Sequence, residues 1–313
     1  MKKLLIFPFL VFLIVFSYKI YPSFSKSIWD GKNRINIIFE GQQIFVFSLN
    51  PPEKEGIFLS IPSQTFVEVI HGYGQYRIEV IYQLGELENY HGGELLAESI
   101  QENLRIPIDA YASIPNVKSQ TPDIKTYILD SFRFLIGNGK TNLTKWDLLR
   151  LWLEVKKIRQ DKILTLDLEN TAALEKVVLA DKTEWFKINP EMMEKIARDF
   201  FKDSKIRQEE LTIAILNSTS HQGLAARAAS LVENIGGRVV EIGDGGLGTK
   251  ENLSLEIERC EIRSEKRFKK SYTLKKLAKI FSCNWKGEEK RGFRAEVVLT
   301  LGEDYWKKLT EKW

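Results

Sequence analysis

The chain has 313 residues, 43% of them hydrophobic and 28% charged, with a formal net charge of +4. That is enough for two modest domains and a terminal segment, and it excludes long disorder. So mild a basic excess makes no case for a nucleic-acid binder, although it would not resist an anionic polymer or lipid surface.

The N-terminus, Met1-Lys2-Lys3, is followed over residues 4–18 by LLIFPFLVFLIVFSY. This run is short of the roughly twenty residues of a spanning helix and matches the apolar region of a signal peptide. No small-x-small cleavage pattern follows, however, and Lys19 can snorkel so that the span extends through Tyr21. No Cys follows either, which excludes a lipoprotein. The expectation is a retained anchor over 1–22, with Lys2 and Lys3 placing the N-terminus in the cytoplasm and the bulk of the chain outside.

Residues 23–33 are a polar connector. Arg34–Phe39 and Ile44–Leu49 are predicted strands around a Glu40-Gly41-Gln42-Gln43 turn, and a third runs over Gly56–Ile61 and on past Pro62 into Thr65–Ile70. Gly92–Leu104, Tyr127–Ile136 and Leu143–Ile158 are predicted helices, the last capped by Thr144 or Asn142. In that last helix Trp146, Leu149 and Leu153 form an apolar face beside Lys156-Lys157; packing on the sheet is expected rather than a position on a membrane. Ile163–Leu168 is a further strand. Asn189-Pro190 opens a helix over Glu191–Phe201. The charged run 202–210, KDSKIRQEE, is the expected boundary between domains.

Leu211–Leu216 is a buried strand, and Asn217 to Ser220 offers helix N-caps. Leu224, Ala228, Leu231 and Ile235 make one helical face, Gly236-Gly237 ends the helix, and Arg238–Ile242 returns as a strand. NSTSHQG between strand and helix is neither a dinucleotide fingerprint nor a phosphate loop. The glycine-rich Gly243–Gly248 lacks the Lys-Ser/Thr that would make it one. Leu255–Arg263, Thr273–Phe281 and Ala295–Leu301 follow as strand, helix and strand, giving β-α-β-β-α-β, a ferredoxin-like order. Lys266–Lys279 is strongly basic; a solvated helix face is expected before a contact with acidic polymer or lipid. Cys260 and Cys283 are too few for a zinc site, and two free, partly buried thiols are expected, with pairing left open. His71 and His91 are read as turn residues. None of the three histidines, the third being His221, has a carboxylate or Cys at catalytic spacing.

ILNSTSHQGLAARAASLVENIGGRVVEI, closing with AEVVLTLGEDY, resembles the C-terminal domain of LytR-CpsA-Psr (LCP) cell-envelope proteins. Asn217, Gly223-Leu224-Ala225, Gly236-Gly237 and Leu301-Gly302-x-Asp304 carry the likeness. Upstream, RINIIF, IFVFSLNP, FLSIPSQTFVEV, YRIEVIYQLG and ENLRIPIDAY resemble, in order, the LCP catalytic domain. The resemblance implies transfer of lipid-pyrophosphate-linked glycopolymers onto peptidoglycan, with arginines, aspartates and a divalent cation holding the pyrophosphate. This sequence departs from that pattern. Ser63-Gln64 stand where the family has Arg-Asp, Gln42 where it has an acid, and Arg77-Ile78-Glu79 where it has Lys-Ile-Asn. The arginine loop is reduced to Glu40-Gly41, and of the arginine-rich segment only Arg150 and Arg159 are plausible remnants. A pyrophosphate needs guanidinium and metal partners, and losing one such donor typically costs orders of magnitude in rate.

The expectation is therefore an α+β or α/β chain: anchor (1–22), linker (23–33), degenerate mixed-sheet LCP-like domain (34–201), charged linker (202–210) and small βαββαβ domain (211–313). Its expected role is binding or scaffolding at the bacterial cell wall, with the membrane and a wall polymer or peptidoglycan as partners and no nucleic acid. Whether it is an enzyme stays open, with loss of catalysis favoured, no catalytic or metal residue assigned and no cofactor. The alternative is a working glycopolymer phosphotransferase using Mg. Arg77, Arg105 and Arg133 are the candidates for residual anion binding, and their meeting Glu79 or Asp109 around an apolar tunnel would favour that alternative. A cytosolic regulator would require the apolar N-terminus not to insert. Asn217, Ser218 and His221 are the candidate surface of the last domain.

Overall fold

Alternating apolar residues build the first sheet. In β1 (Ile35–Gly41), β2 (Ile44–Asn50) and β3 (Glu55–Ile61) successive side chains point to opposite faces, and both faces are buried. Ile37, Phe39, Phe45, Phe47 and Phe58 enter one core, while Ile38, Val46, Leu59 and Ile61 enter another. The computed structural model describes residues 24–115, 117, 123–137, 139–178, 184–244, 258–287 and 294–312. The expected anchor lies outside these residues; among those described, no helix is long and apolar enough to cross a membrane.

After β3 the chain changes sheet. Pro62 ends the strand, and β4 (Thr65–Val69) pairs with β5 (Gly74–Arg77) in a separate layer. The single strand expected across Pro62 is thus two, because proline cannot continue the hydrogen-bond ladder. The next elements are α1 (Ile78–Leu87), α2 (Gly92–Leu104) and β6 (Ala110–Ile114). Helices α1 and α2 cross closely at Gly92, where a Cβ would run into the Tyr82 carbonyl oxygen. Then come α3 (Ile124–Gly137), β7 (Lys140–Thr141), α4 (Lys145–Lys157), β8 (Ile163–Asp167), β9 (Leu174–Val178), β10 (Glu184–Ile188) and α5 (Pro190–Phe200). The first sheet has the order β7-β6-β1-β2-β3-β8 and the second β5-β4-β10-β9. Helices α3 and α4 cover one face of the first sheet, and α2 with the second sheet covers the other.

Thr144 caps α4 through a reciprocal capping box with Asp147. The buried face of α4 is Leu148, Leu151 and Val155. Leu149 and Leu153, expected to pack inward with Trp146, are 40% and 44% exposed. Two apolar stripes overlap on this helix, and the sheet takes the other one. The connector is not loose: Asp147 and Arg150 bind Ser27 Oγ, and Trp29 is buried.

Residues 202–210, read as a linker, contain α6 (Ser204–Glu209), N-capped by the buried Asp203. The remaining elements are β11 (Thr212–Asn217), α7 (Leu224–Asn234), β12 (Arg238–Asp244), β13 (Glu261–Ser264), α8 (Tyr272–Ile280), β14 (Asn284–Gly287), β15 (Val297–Leu301) and α9 (Glu303–Thr310). Helix α7 is capped by Gly223 without a side-chain hydrogen bond, not by the Asn217–Ser220 stretch. It ends at Gly236, whose φ of +91° is the left-handed conformation expected there.

The third sheet has the order β12-β11-β15-β13-β14. This corrects the ferredoxin-like expectation. In a split βαβ another strand lies between the two parallel strands, whereas here β11 pairs directly with β12 and β13 with β14, all in parallel. β15 joins the two units, parallel to β11 and antiparallel to β13. Cys260 and Cys283 form a disulfide with Cα atoms 4.6 Å apart, not two free thiols. The register pairs Glu261 with Asn284, which places the preceding cysteines side by side.

Candidate functional site

The positions singled out in the first half of the sequence are dispersed. Gln42, Ser63 and Gln64 are exposed turn residues. Arg77, at the end of β5, pairs with Glu79 at 2.9 Å on the surface. Arg133 lies on α3, beyond the first sheet from α2, whose C-cap is Arg105. Arg150 is held by Asp147 and the Trp29 carbonyl, and Arg159 pairs with Asp161 in solvent. Asp109 is buried against Lys276 at 2.6 Å. Between the first sheet and α3, Phe39, Phe45, Phe58, Phe132 and Tyr127 pack together with ring centroids 4.3–6.4 Å apart.

Where charged and aromatic groups do gather is the junction of the two sequence halves. Glu102 is buried and accepts from Tyr305 Oη at 2.9 Å, with Arg105 and Arg227 at 3.5 and 3.7 Å. Burial, then Glu102, raises the Tyr305 phenol well above its usual range, so it stays a donor. Asp203 accepts from Tyr272 Oη at 2.8 Å, and Glu209 accepts from the Tyr272 and Thr273 amides that open α8. Burial alone would raise the Asp109 carboxyl, but Lys276, Lys279 and the Asn36 amide hold it below its usual range. The basic run is thus not wholly solvated, since Lys276 is its buried member.

Beside this junction opens a cleft of ≈ 550 Å³ between α2 and α9. Its lining includes His71, Tyr90, Glu98, Phe281, Tyr305 and Lys308. His71 is 1% exposed, packs against Tyr90 at 4.9 Å, and donates its amide to the Lys308 carbonyl at 3.0 Å. Burial lowers its pKa, opposed by Glu98, so the ring is neutral near pH 7. Glu98 pairs with Lys308 at 2.6 Å. Asp304 is occupied too, taking the Cys260 amide at 2.9 and 3.0 Å. Lys307 and Lys312 stand exposed at the rim. The cleft is thus lined by aromatic side chains and by charges of both signs, its lysines standing beside Glu98, Asp304 and Glu311.

The candidate surface of the last domain is largely interior. Asn217 is 2% and Ser218 7% exposed. Asn217 donates to the His221 carbonyl at 2.7 Å and accepts from the Thr219 amide at 3.0 Å, so it shapes the turn. The His221 ring stacks on Trp306 at 3.9 Å. The sequence pattern did not disclose α9, which carries the rim residue Lys307. The signal was present in Tyr305 and Leu309, four apart and both buried, with Lys307 and Lys308 between them.

Two α/β units share one core, with a cleft at their junction; among the described residues no cluster of His, Cys, Asp and Glu is arranged to hold a metal. Residues 210–305 match the family described as LytR cell envelope-related transcriptional attenuator. Among solved structures the chain is similar to TagT bound to LIIa-WTA, at 16% identity over 55% of this chain and 92% of that one, with a TM-score of 0.41. It is also similar to Bacillus subtilis TagV, at 16% over 54% and 95%, TM-score 0.41. A third is the LytR-CPS2A-psr family protein YwtF (TagT) with bound octaprenyl pyrophosphate lipid, at 17% over 55% and 91%, TM-score 0.41. No curated protein matches the chain.

Proposed function

We propose that the chain is a single-pass, envelope-exposed protein that binds or scaffolds at the cell wall, and that its first, LCP-like domain has lost phosphotransfer chemistry. The observation that carries this is the pairing of a LytR-type domain at 210–305 with neutral, exposed Ser63, Gln64 and Gln42 where the resemblance calls for charged clamps. The Cys260–Cys283 disulfide supports an extracytoplasmic position, since disulfides persist in oxidising compartments. Lys2 and Lys3 before the apolar run support a cytoplasmic N-terminus. The ligand is a wall polymer or peptidoglycan strand held in the cleft under α9, sugar faces on the aromatic floor and acidic groups on Lys307 and Lys312. Co-sedimentation of the purified full chain with cell-wall sacculi tests this. Binding that weakens in Lys307→Glu/Lys312→Glu is expected; no binding, or binding indifferent to that change, refutes it.

A further inference from the structure

Helix α4 leaves an apolar stripe uncovered. Leu149 and Leu153 are 40% and 44% exposed, and Ile136 on the neighbouring α3 is 38% exposed. Between the two helices runs a groove of ≈ 550 Å³, lined by Leu129, Arg133 and Ile136 on one side and Leu149, Trp152 and Lys156 on the other. Isolated exposed leucines need no explanation, but a contiguous strip bordered by a half-exposed tryptophan and cations does.

We propose that this face of α3 and α4 rests on the lipid bilayer, a second membrane contact beside the N-terminal apolar run. The inference rests on the anchored reading above. Three observations choose lipid as the occupant. First, only residues 19–23 separate the apolar run over 4–18 from Phe24 in sequence, and the Phe24 ring lies 4.3 Å from that of Trp146 in the first turn of α4. Second, the chain just after Phe24 is tied to α4, because Asp147 binds Ser27 Oγ and the Ile28 amide at 2.5 and 3.2 Å, and Arg150 binds Ser27 Oγ at 2.6 Å. A chain leaving a bilayer at residues 22–23 therefore delivers α4 to the surface of that bilayer. Third, the chemistry is interfacial. Leucines sit beside Trp152, the Lys156 ammonium lies 3.4 Å from the Trp152 ring centroid, and Glu154 is already paired with Lys157 at 2.6 Å. Apolar side chains flanked by tryptophan and cations are what an anionic headgroup region accepts, and the exposed Asp130 is the one acidic group lining the groove.

The test uses the full chain reconstituted into phosphatidylcholine–phosphatidylglycerol vesicles with brominated acyl chains, read by tryptophan quenching. The parent is expected to float with the vesicles and to be quenched, and Trp146→Phe/Trp152→Phe to lose most of that quenching. Leu149→Glu/Leu153→Glu, which alters only exposed positions and keeps both tryptophans, is expected to float equally well yet lose the same quenching. Flotation with quenching unchanged in both variants overturns the proposal alone, whether the stripe is then covered by the N-terminal segment or by a second copy. Failure of the parent to float overturns the anchored reading and this proposal with it.

Discussion

Replacing Lys276 by alanine should loosen the junction between the two halves of the chain. Lys276 and Asp109 are 8% and 7% exposed, 2.6 Å apart, and come from α8 and from the segment entering β6. Removing one partner of a buried pair strands the other charge, at a typical cost of ~3–5 kcal/mol. Two groups soften the loss here. Lys279 stays 3.7 Å from Asp109, and the Asn36 amide donates at 3.0 Å. The expected destabilisation is therefore about 3 kcal/mol, at the lower end of the range for a stranded buried charge. Replacing both residues, as Asp109→Leu/Lys276→Met, should recover most of it, because apolar groups of similar volume carry no desolvation cost. Urea unfolding of the full chain in detergent, run as a double-mutant cycle, measures both values. A Lys276→Ala variant within about 1 kcal/mol of the parent would contradict the lower limit for a buried pair and refute the reasoning.

Acid should act on the same contact: the Asp109 carboxyl is held below its usual range, so its contribution is complete above the unfolded value of about 4 and is lost as pH falls through the lower folded value. A pH series of urea midpoints checks this, and Asp109→Leu/Lys276→Met should flatten it. His71 acts in a higher window. Its folded pKa is lowered by burial, so stability is full above about 6.5 and declines as pH drops below that, which hydrogen exchange of α9 between pH 7 and 5 would report. Reducing the Cys260–Cys283 bridge, whose partners are 23 residues apart, should cost about 3 kcal/mol by the chain-entropy estimate, read as the shift in urea midpoint with dithiothreitol. Gly92→Ala should cost about 1–3 kcal/mol, since α1 and α2 must separate to clear the Tyr82 carbonyl.

What the sequence disclosed was mostly local. Thr144, Pro190 and Gly236 mark helix ends through their own backbone and side-chain preferences, and Gly92–Leu104 was legible to the residue. The strands β1 and β2 were legible because both faces are apolar. What failed depends on distant partners. Helix α4 has apolar stripes at 146/149/153 and at 148/151/155, and only the sheet decides which one is buried. Lys276 reads as one more surface lysine until Asp109, 167 residues away, is brought against it. The cysteines join because β13 and β14 run parallel in register, a non-local fact. The strands β9 and β10 went unread because each is short and largely exposed on one side. Of the candidate cleft, the sequence marks Asp304 through the family likeness, His71 as a turn residue and Phe281 as a helix end, and the Asp304 carboxylate serves the Cys260 amide.

The most direct test of a binding rather than a catalytic role is turnover. The full chain in nanodiscs would be given a polyprenyl-pyrophosphate-linked glycan and peptidoglycan with magnesium or manganese, and both polymer transfer and pyrophosphate cleavage would be followed. Ser63, Gln64 and Gln42 are neutral and exposed and Arg77 is paired to Glu79, so among the described residues these four positions offer the diphosphate no unpaired charge. The account predicts no transfer and no cleavage while binding to sacculi persists. Metal-dependent transfer abolished by Arg77→Ala would contradict it.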